Sequence, residues 1–319
     1  MALIRYAPVA PAANLLRWRT LFLAFSLAIV IGSGVLLAVR GLNLGVDFRG
    51  GILIEVETRQ PADLGDLRAR LGGLGLGGVS IQEFGNPTDI LINVQRQEGE
   101  EQEQIAAIEL IKQELGDAVV EYRRTEFVGP KVGDELRRAG ILATVLAMLG
   151  ITIYIWFRFE WQFAVAALLA LIHDVISTIG LLALLQLEFN LATLAAILTV
   201  AGYSINDTVV IFDRVREMLR KYKKLPLVEL LDLSINSTLS RTTLTSATTL
   251  MALIALSVFG GEVIRGFSIA LIWGVVIGTF SSWGLAVPVL SYMNLRGGIG
   301  GADDEASAGS EPERLTEKA

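Results

Sequence analysis

Six long runs of apolar residues alternate with polar segments along the chain, at approximately residues 19–39, 139–157, 162–186, 190–213, 242–260 and 266–292. Each run is close to the roughly 20 residues that a helix needs to cross the hydrocarbon core of a bilayer. Because backbone N–H and C=O groups find no water there, lipid-exposed open strands are excluded. The pattern therefore predicts a polytopic α-helical membrane protein with six transmembrane helices.

Composition indicates the same class of protein. Hydrophobic residues make up 52% of the 319 residues and charged residues only 19%, with a mean hydropathy of +0.54. A soluble domain of this size would carry more charge. The absence of cysteine excludes disulfide and thiol chemistry. Segment 297–319 holds six acidic and two basic residues with few apolar ones, so we expect a disordered acidic tail.

The first apolar run resembles a signal peptide, because Arg5, Arg17 and Arg19 precede its apolar residues. It is longer than the ~7–15 apolar residues of such a peptide, and no clear small-x-small cleavage site follows it. We therefore interpret this run as a membrane anchor that is retained in the mature protein.

The distribution of basic residues predicts how the spans are oriented. The loop expected at 214–241 carries seven Lys and Arg residues, which places it in the cytoplasm together with the N-terminus. The turns near Glu188 and Glu262 carry little positive charge and fall outside. The long segment between the first two spans is then external, and both termini are cytoplasmic. The predicted divisions of the chain are 1–39, 40–135, 136–296 and 297–319.

Segment 40–135 has the hydrophobic pattern of a small α+β domain. Its predicted elements are a strand at 52–56, a helix at 62–71, strands at 79–84 and 89–94, a helix at about 100–115 and a strand at 119–127. The order β-α-β-β-α-β predicts a ferredoxin-like fold for this external (periplasmic) domain. The segment contains no histidine, metal-ligand cluster, nucleophile–base pair or phosphate-binding loop, which argues against a hydrolase.

Two aspartates lie inside predicted spans. Asp207 interrupts the apolar stretch 191–212, and Asp174 follows Phe163 by about 11 residues, or roughly 16 Å along a helix. A charge in hydrocarbon is costly, so an intramembrane carboxylate predicts an ion or proton path. The alternative for Asp174 is a purely structural hydrogen bond to a neighbouring helix. His173, the only histidine, has the alternative of a neutral packing group.

Further polar residues accompany Asp207 on the fourth span. Tyr203 precedes it on the same four-residue row, and Asn206 is its neighbour in the chain. Asp213 and Arg214 end the apolar run, where an ordinary interfacial ion pair is the alternative to a functional role. These residues are candidates for a polar environment around the buried carboxylate.

The fifth span supplies a candidate partner for Asp207. Arg241, Thr245 and Thr249 share one helical stripe in a segment dense in hydroxyl groups. Arginine stays charged at any accessible pH, so it can hold an aspartate ionised, or release it for protonation when the two separate. The alternative is that Arg241 snorkels to the interface from a position near the start of its helix.

Small residues recur every four positions on the third and sixth predicted spans. The two stripes are Ala166, Ala170, Asp174 and Thr178, and Ala270, Gly274, Gly278 and Ser282. Small side chains allow close approach between helices in a membrane. We therefore predict that both stripes are packing faces, and that the first keeps its carboxylate out of lipid.

Several motifs, in order over about residues 15–295, resemble one family of bacterial membrane proteins. They are GVDFRGG at 45–51, FVGP at 127–130, VGDEL at 132–136, HDV at 173–175, GYSINDTVVIFDR at 202–214, SRT at 240–242, FS at 267–268 and GT at 278–279. On these residues the chain resembles the SecF family, a membrane component of the protein-export machinery. The longest of the motifs contains Asp207.

The resemblance implies an RND-like helix bundle in the bacterial cytoplasmic (inner) membrane. It implies cooperation with SecD, in which the proton-motive force pulls preproteins outward through SecYEG after the SecA ATPase has pushed them. YajC and YidC are further implied partners, and no nucleic acid is implied. The coupling ion would be the proton, with no other cofactor and no chemical catalytic site.

The resemblance also implies roles for individual residues. Asp207 would be a proton-pathway carboxylate and Arg241 its functional partner, while Asp174 lies in a further family motif. The accompanying polar residues are His173, Asn206, Asp213 and Thr245. SecD would contribute another intramembrane aspartate that this chain lacks.

Two other functions stay open on the sequence. A small-molecule exporter of the RND type would need a substrate cleft in a larger external domain than segment 40–135 provides. A non-transporting scaffold of the translocon should tolerate neutral replacements at both Asp207 and Arg241. A polytopic enzyme is disfavoured, because no nucleophile–base pair occurs outside the spans.

Overall fold

The computed structural model describes residues 14–97, 101–260 and 264–295. Within those residues, six helices are long and apolar enough to cross a membrane, which confirms the predicted six-span architecture. The predictions for Arg5, for the turn at Glu262 and for the acidic tail fall outside the described residues. The candidate spans are Leu15–Arg40, Val132–Arg158, Trp161–Leu185, Leu191–Lys221, Leu227–Phe259 and Arg265–Leu290.

The elements follow each other with few irregular segments. The helices are α1 (Arg19–Arg40), α2 (Val46–Arg49), α3 (Leu64–Gly72), α4 (Glu101–Leu115), α5 (Pro130–Arg158), α6 (Trp161–Leu185), α7 (Leu191–Lys221), α8 (Leu227–Phe259), α9 (Arg265–Ser281) and α10 (Val287–Leu290). The strands are β1 (Gly51–Thr58), β2 (Val79–Phe84), β3 (Asn86–Gln95) and β4 (Val119–Val128). Helices α1 and α5 to α10 form the membrane bundle, with α9 and α10 in the sixth span.

The segment between α1 and α5 forms one four-stranded sheet with two helices. The strand order is β2-β3-β1-β4, and every neighbouring pair is antiparallel. Alternate residues of β1 face α3 and α4 because successive side chains of a strand point to opposite faces. This core includes Ile52, Ile54, Val56, Leu71, Ile90, Ile92 and Ile111. The predicted β-α-β-β-α-β order is confirmed.

The structure of the predicted cytoplasmic loop 214–241 differs from the prediction, because α7 continues to Lys221 and α8 begins at Leu227. Only residues 222–226 connect the two helices. Both helix ends are amphipathic, with exposed charges on one side and apolar side chains in a buried cluster on the other. The buried side chains include Val215, Met218, Leu219, Leu230 and Leu231. A hydropathy run marks the wholly apolar part of a helix and misses such amphipathic ends.

Close helix packing occurs along both predicted stripes of small residues. All four members of each stripe are buried. A Cβ placed on Gly278 would lie 2.9 Å from Cβ of Ser204, so α9 and α7 are in near-backbone contact. Gly180 of α6, which is outside the stripe, lies against α1, because a Cβ placed there would lie 2.9 Å from Cα of Ser33. The predicted packing faces are thereby confirmed.

Candidate functional site

Asp174 is completely buried at the junction of α6, α7 and α9, with an exposed fraction of 0%. Its Oδ2 accepts hydrogen bonds from Oγ of Ser204 at 2.5 Å and Oγ of Ser281 at 2.7 Å. Its Oδ1 lies 2.9 Å from Nδ1 of His173. Three groups that can donate a hydrogen bond therefore surround this carboxyl group, as a buried charge requires.

Local backbone features bring these donors to Asp174. The absence of side chains at Gly274 and Gly278 lets α9 approach Val200 and Ser204 of α7. Directly after Ser281, the sixth span changes to one turn of π-helix, Ser282–Ala286. Such π-turns are frequent at functional sites. Ser281, the last residue of α9 before this turn, donates its hydroxyl to Asp174.

Asp207 lies on α7 with an exposed fraction of 4%. Among the described residues, the only hydrogen bond to its side chain comes from Oγ of Ser246 on α8, at a long 3.5 Å. The same hydroxyl lies 2.6 Å from Oγ1 of Thr279 on α9. In contrast to Asp174, this buried carboxyl group has weak hydrogen bonding within its own chain, although burial of an unpaired charge is costly.

Hydroxyl groups connect the surroundings of the two carboxyl groups. Ser204, which donates to Asp174, precedes Asp207 by one helical turn on α7. Thr208 donates to the carbonyl oxygen of Ser204 at 3.2 Å, and its Oγ1 lies 2.9 Å from Oγ of Ser282. This polar strip extends from Asp174 to Thr208, the residue that follows Asp207 in the chain, and no hydrogen bond among the described residues continues from it to the Asp207 carboxyl group.

Arg241 lies in the middle of α8, because this helix begins at Leu227, well before the predicted start. Its side chain is exposed on the isolated chain. In the part of the chain that the structure describes, no carboxylate oxygen lies within 4.0 Å of the Arg241 guanidinium, which is the distance limit for an ion pair. The predicted functional pairing with Asp207 stays a prediction, but the position near a helix start is wrong.

The buried stripe of α8 is adjacent to the predicted one. The residues of this buried stripe are Ser234, Thr238, Thr242 and Ser246. They lie in the core where the sequence pattern predicted Arg241, Thr245 and Thr249. Thr245 donates its hydroxyl to the carbonyl oxygen of Arg241 at 2.9 Å, within its own helix. Tyr203 reaches Oγ1 of Thr249 at 3.3 Å. Helix rotation thus selects hydroxyls one position along from those that the spacing suggested.

The remaining candidates lie away from the buried carboxyl groups. Asn206 is exposed on the isolated chain. Asp213 is also exposed, and its Oδ1 pairs with Arg158 of α5 at 3.5 Å. Arg214 pairs with Glu217 at 2.6 Å, so the ion pair of Asp213 forms with an arginine of another helix and not with its sequence neighbour. In residues 14–97, 101–260 and 264–295, no group of three or more His, Asp or Glu could hold a metal ion.

A polar cleft of about 1210 Å³ separates the sheet from the outer end of the bundle. Its lining includes Asp47, Glu55, Arg124, Glu126 and Glu188. Burial raises the pKa of Glu188 above its ordinary value, and the nearby Asp47 raises it further, while Arg124 opposes the shift. This cleft marks the junction through which the external domain contacts the spans.

Sequence reasoning missed the residues that contact the carboxyl groups. Ser204, Ser281, Ser246 and Thr279 lie within apolar runs and were not identified as site residues. A hydroxyl residue one turn away from an intramembrane aspartate is a usable indication of a site residue. Such a hydroxyl can donate a hydrogen bond to a buried carboxylate on a neighbouring helix. The spacing alone does not show which of the many hydroxyls faces it.

Comparisons with known proteins agree with the resemblance seen in the motifs. Residues 108–296 match the family model "Protein export membrane protein SecD/SecF, C-terminal", and residues 35–62 match the "SecD/SecF GG Motif". Protein translocase subunit SecF of Rickettsia akari is 44% identical over 281 residues, which are 87% of this chain and 91% of that protein. The SecF subunit of Cereibacter sphaeroides is 47% identical over 296 residues, or 90% of each chain.

Solved structures are similar over most of the chain as well. The crystal structure of SecDF, a translocon-associated membrane protein from Thermus, matches with a TM-score of 0.79 and 33% identity. The match covers 89% of this chain and 39% of that one. A crystal structure of SecDF in a super-membrane-facing form matches with a TM-score of 0.66, 31% identity and 95% of this chain, but 41% of the SecDF chain.

Proposed function

The chain belongs to the SecD/SecF family of protein export membrane proteins, and from that premise we propose that it is the SecF-type subunit of a SecDF complex. In this proposal it uses the proton-motive force to assist protein translocation through SecYEG after SecA-driven steps. The proposed location is the bacterial cytoplasmic membrane, with both termini in the cytoplasm. The external domain then faces the compartment that receives the translocated protein.

The observation that carries the proposal is the burial of Asp207 with one long hydrogen bond inside the membrane bundle. A carboxyl group that is poorly satisfied in one conformation is suited to change its protonation state when its surroundings change. Each proton that moves down 100 mV releases about 2.3 kcal/mol. That free energy shifts a helix-packing equilibrium more than tenfold.

A second carboxyl group extends the proposed proton path. Asp174 has three nearby donors, and the Ser204–Thr208–Ser282 hydroxyls connect its surroundings with α7 near Asp207. We assign Asp174 to the path as the better hydrogen-bonded of the two carboxyl groups. Its alternative role is to hold α6, α7 and α9 together, which the same hydrogen bonds also support.

The exposed position of Arg241 is an argument that a partner chain packs beside this one in the membrane. Arg241 directly precedes the apolar run 242–260 and is exposed on this chain, so a polar group of a partner chain can reach it at the edge of the hydrocarbon. This chain spans only 39% of the SecDF chain that it resembles. The remainder of that SecDF chain has no counterpart here, and a separate partner chain could correspond to it. We propose SecD as the partner, with SecYEG, the preprotein, YajC and YidC as further contacts.

The two solved SecDF structures support a cycle of conformations. The same chain matches them with TM-scores of 0.79 and 0.66, although the sequence identities are nearly equal. In the proposal, loading and unloading of Asp207 shifts α7, and the external domain follows because it is bonded to the outer end of that helix. Asp47 provides this bond, a hydrogen bond from the backbone N–H of Leu191.

The other two functions make different predictions. A small-molecule exporter would work without a preprotein, whereas the relatives with 44–47% identity are named as protein translocase subunits. A scaffold would stabilise the translocon without moving protons. The scaffold does not account for a buried carboxyl group that its own chain leaves so poorly hydrogen-bonded. We propose no chemical catalytic role.

The experiment replaces Asp207 by Asn in the complete SecDF complex, reconstituted with SecYEG and SecA in liposomes. The matched control is Asp213→Asn, an exposed carboxylate on the same helix. We expect Asp207→Asn to abolish the stimulation of export by an imposed proton gradient, while the control keeps it. Full stimulation in Asp207→Asn would overturn proton coupling. Export that needs the chain but not its carboxylate would favour the scaffold.

A further inference from the structure

Helix α1 buries two serines, whereas none of its large apolar side chains is fully buried. The two buried residues are Ser26 and Ser33, and they are seven residues apart. Seven residues are about two helical turns, so both serines lie on one face. Small residues on such a face allow close approach to a neighbouring helix in a membrane. Ser33 does so against Gly180 of α6.

The register of α1 and α6 places Ser26 beside His173. Both helices run from the cytoplasmic to the outer side in the proposed orientation, so they are parallel. His173 precedes Gly180 by seven residues, as Ser26 precedes Ser33, and the two pairs are therefore level. The ring of Phe280 confirms that these elements meet, because its centroid lies 5.4 Å from that of Phe25 and 6.5 Å from that of His173.

Each of these two residues has a buried polar atom without a hydrogen-bond partner among the described residues. The atoms are Oγ of Ser26 and Nε2 of His173. Both residues are only 2% exposed, so bulk water or lipid headgroups do not satisfy them. An unsatisfied buried polar atom costs about 1–3 kcal/mol. Two such atoms at one level of one helix seam indicate a shared partner.

We propose that this seam binds one water molecule, which accepts a hydrogen bond from Oγ–H of Ser26 and donates one to Nε2 of His173. Buried water typically has two to four polar partners, and these two atoms supply the minimum. With Nε2 as acceptor, Nδ1 of neutral imidazole carries the proton and donates to Oδ1 of Asp174. The water therefore sets the tautomer that gives Asp174 its third donor.

This site gives His173 a role beyond packing. It connects the carboxyl group at the α6–α7–α9 junction with α1 through a chain of imidazole, water and serine. His173 is in this respect a positioning residue for Asp174. The inference concerns hydration and tautomer, so it stands or falls independently of whether Asp174 carries protons.

The test uses the single histidine of the chain as a site-specific probe. The full-length protein is labelled with ¹⁵N-histidine, placed in phospholipid bilayers and measured by solid-state NMR with water-edited transfer. We expect an imidazole that is protonated at Nδ1 and whose Nε2 shows transfer from water. Ser26→Ala should abolish this transfer, whereas Ser33→Ala, on the same face, should retain it.

Three outcomes would overturn the proposal. The first is that Nε2 of His173 in the wild type receives no magnetisation transfer from water, or that Nε2 and not Nδ1 carries the proton of the neutral ring. The second is transfer that Ser26→Ala leaves unchanged. The third is equal loss in Ser26→Ala and Ser33→Ala, which would show that loosening of the helix seam, and not the Ser26 hydroxyl, controls hydration.

Discussion

Asp47 Oδ2 accepts a hydrogen bond of 2.9 Å from the backbone N–H of Leu191, the first residue of α7. Asp47 lies in α2, which leads directly into β1 at Gly51. The bond therefore joins the external sheet to the helix that carries Asp207. Backbone bonds beside it strengthen the junction, since Gly45 N–H donates to the carbonyl oxygen of Phe189 at 2.9 Å and Phe189 N–H donates to that of Asn43 at 2.7 Å.

We expect Asp47→Ala to loosen this junction. A carboxylate at a helix N-terminus satisfies a free N–H and interacts favourably with the helix dipole, and loss of such a cap costs about 0.5–2 kcal/mol. Thermal unfolding of the purified chain should show this loss, and export in the complex should fall. Asp47→Asn is the matched control, because its amide oxygen can still accept the bond. Equal defects in both variants would show that the charge, not the bond, is what matters.

Gly278→Ala should disturb the contact of α9 with α7. Its Cβ would lie 2.9 Å from Cβ of Ser204, and overpacking of this kind costs about 1–3 kcal/mol. The helices must separate, which weakens the bonds of Ser204 and Ser281 to Asp174. Thermal unfolding measures the effect. Gly202→Ala on α7 is the control, because its Cβ would meet nothing within 4 Å; an equal loss there would contradict the packing argument.

Arg241→Gln should separate stability from function. The exposed side chain has no ion-pair partner within 4.0 Å in the described part of this chain, so the unfolding free energy of the isolated chain in detergent should change by less than about 0.5 kcal/mol. Stimulation of export by the proton gradient should nevertheless fall in the complex. Arg158→Gln, whose guanidinium pairs with Asp213, controls for the loss of one positive charge. A large loss of stability in the isolated chain would show an intramolecular role.

Glu188→Gln should stabilise the chain in a pH-dependent manner. Burial raises the pKa of Glu188 in the folded state, so the unfolded chain releases this proton at lower pH than the folded chain does. The contribution of Glu188 to stability is therefore fully present at pH values below its pKa in the unfolded chain. It is lost as the pH rises through its pKa in the folded chain. The variant should match the wild type in acid and exceed its melting temperature near neutral pH. Glu121→Gln, at an exposed position of β4, is the control; a difference that is constant with pH would exclude the titration.

Local patterns were sufficient for the elements of the external domain and for the number of spans. The alternation of Ile52, Ile54 and Val56 predicts a half-buried strand, and these residues form the core between the sheet and its helices. The membrane spans follow from length and hydropathy, which depend on no contact with another segment. Their ends were less accurate, because the amphipathic start of α8 packs on protein and has polar residues on its other side.

The sequence by itself determined the six spans, the order of the external elements, and the presence of Asp174 and Asp207 within apolar segments, because each depends on residues that are close in the chain. Only the tertiary structure decided that Ser204 and Ser281 bond to Asp174, that Asp213 pairs with Arg158, and that Arg241 lies outside the core of this chain. In a membrane the lipid-facing and buried faces of a helix are both apolar, so periodicity does not reveal how each helix is rotated. That rotation, set by packing at residues such as Gly278 and Gly180, determines which polar groups meet.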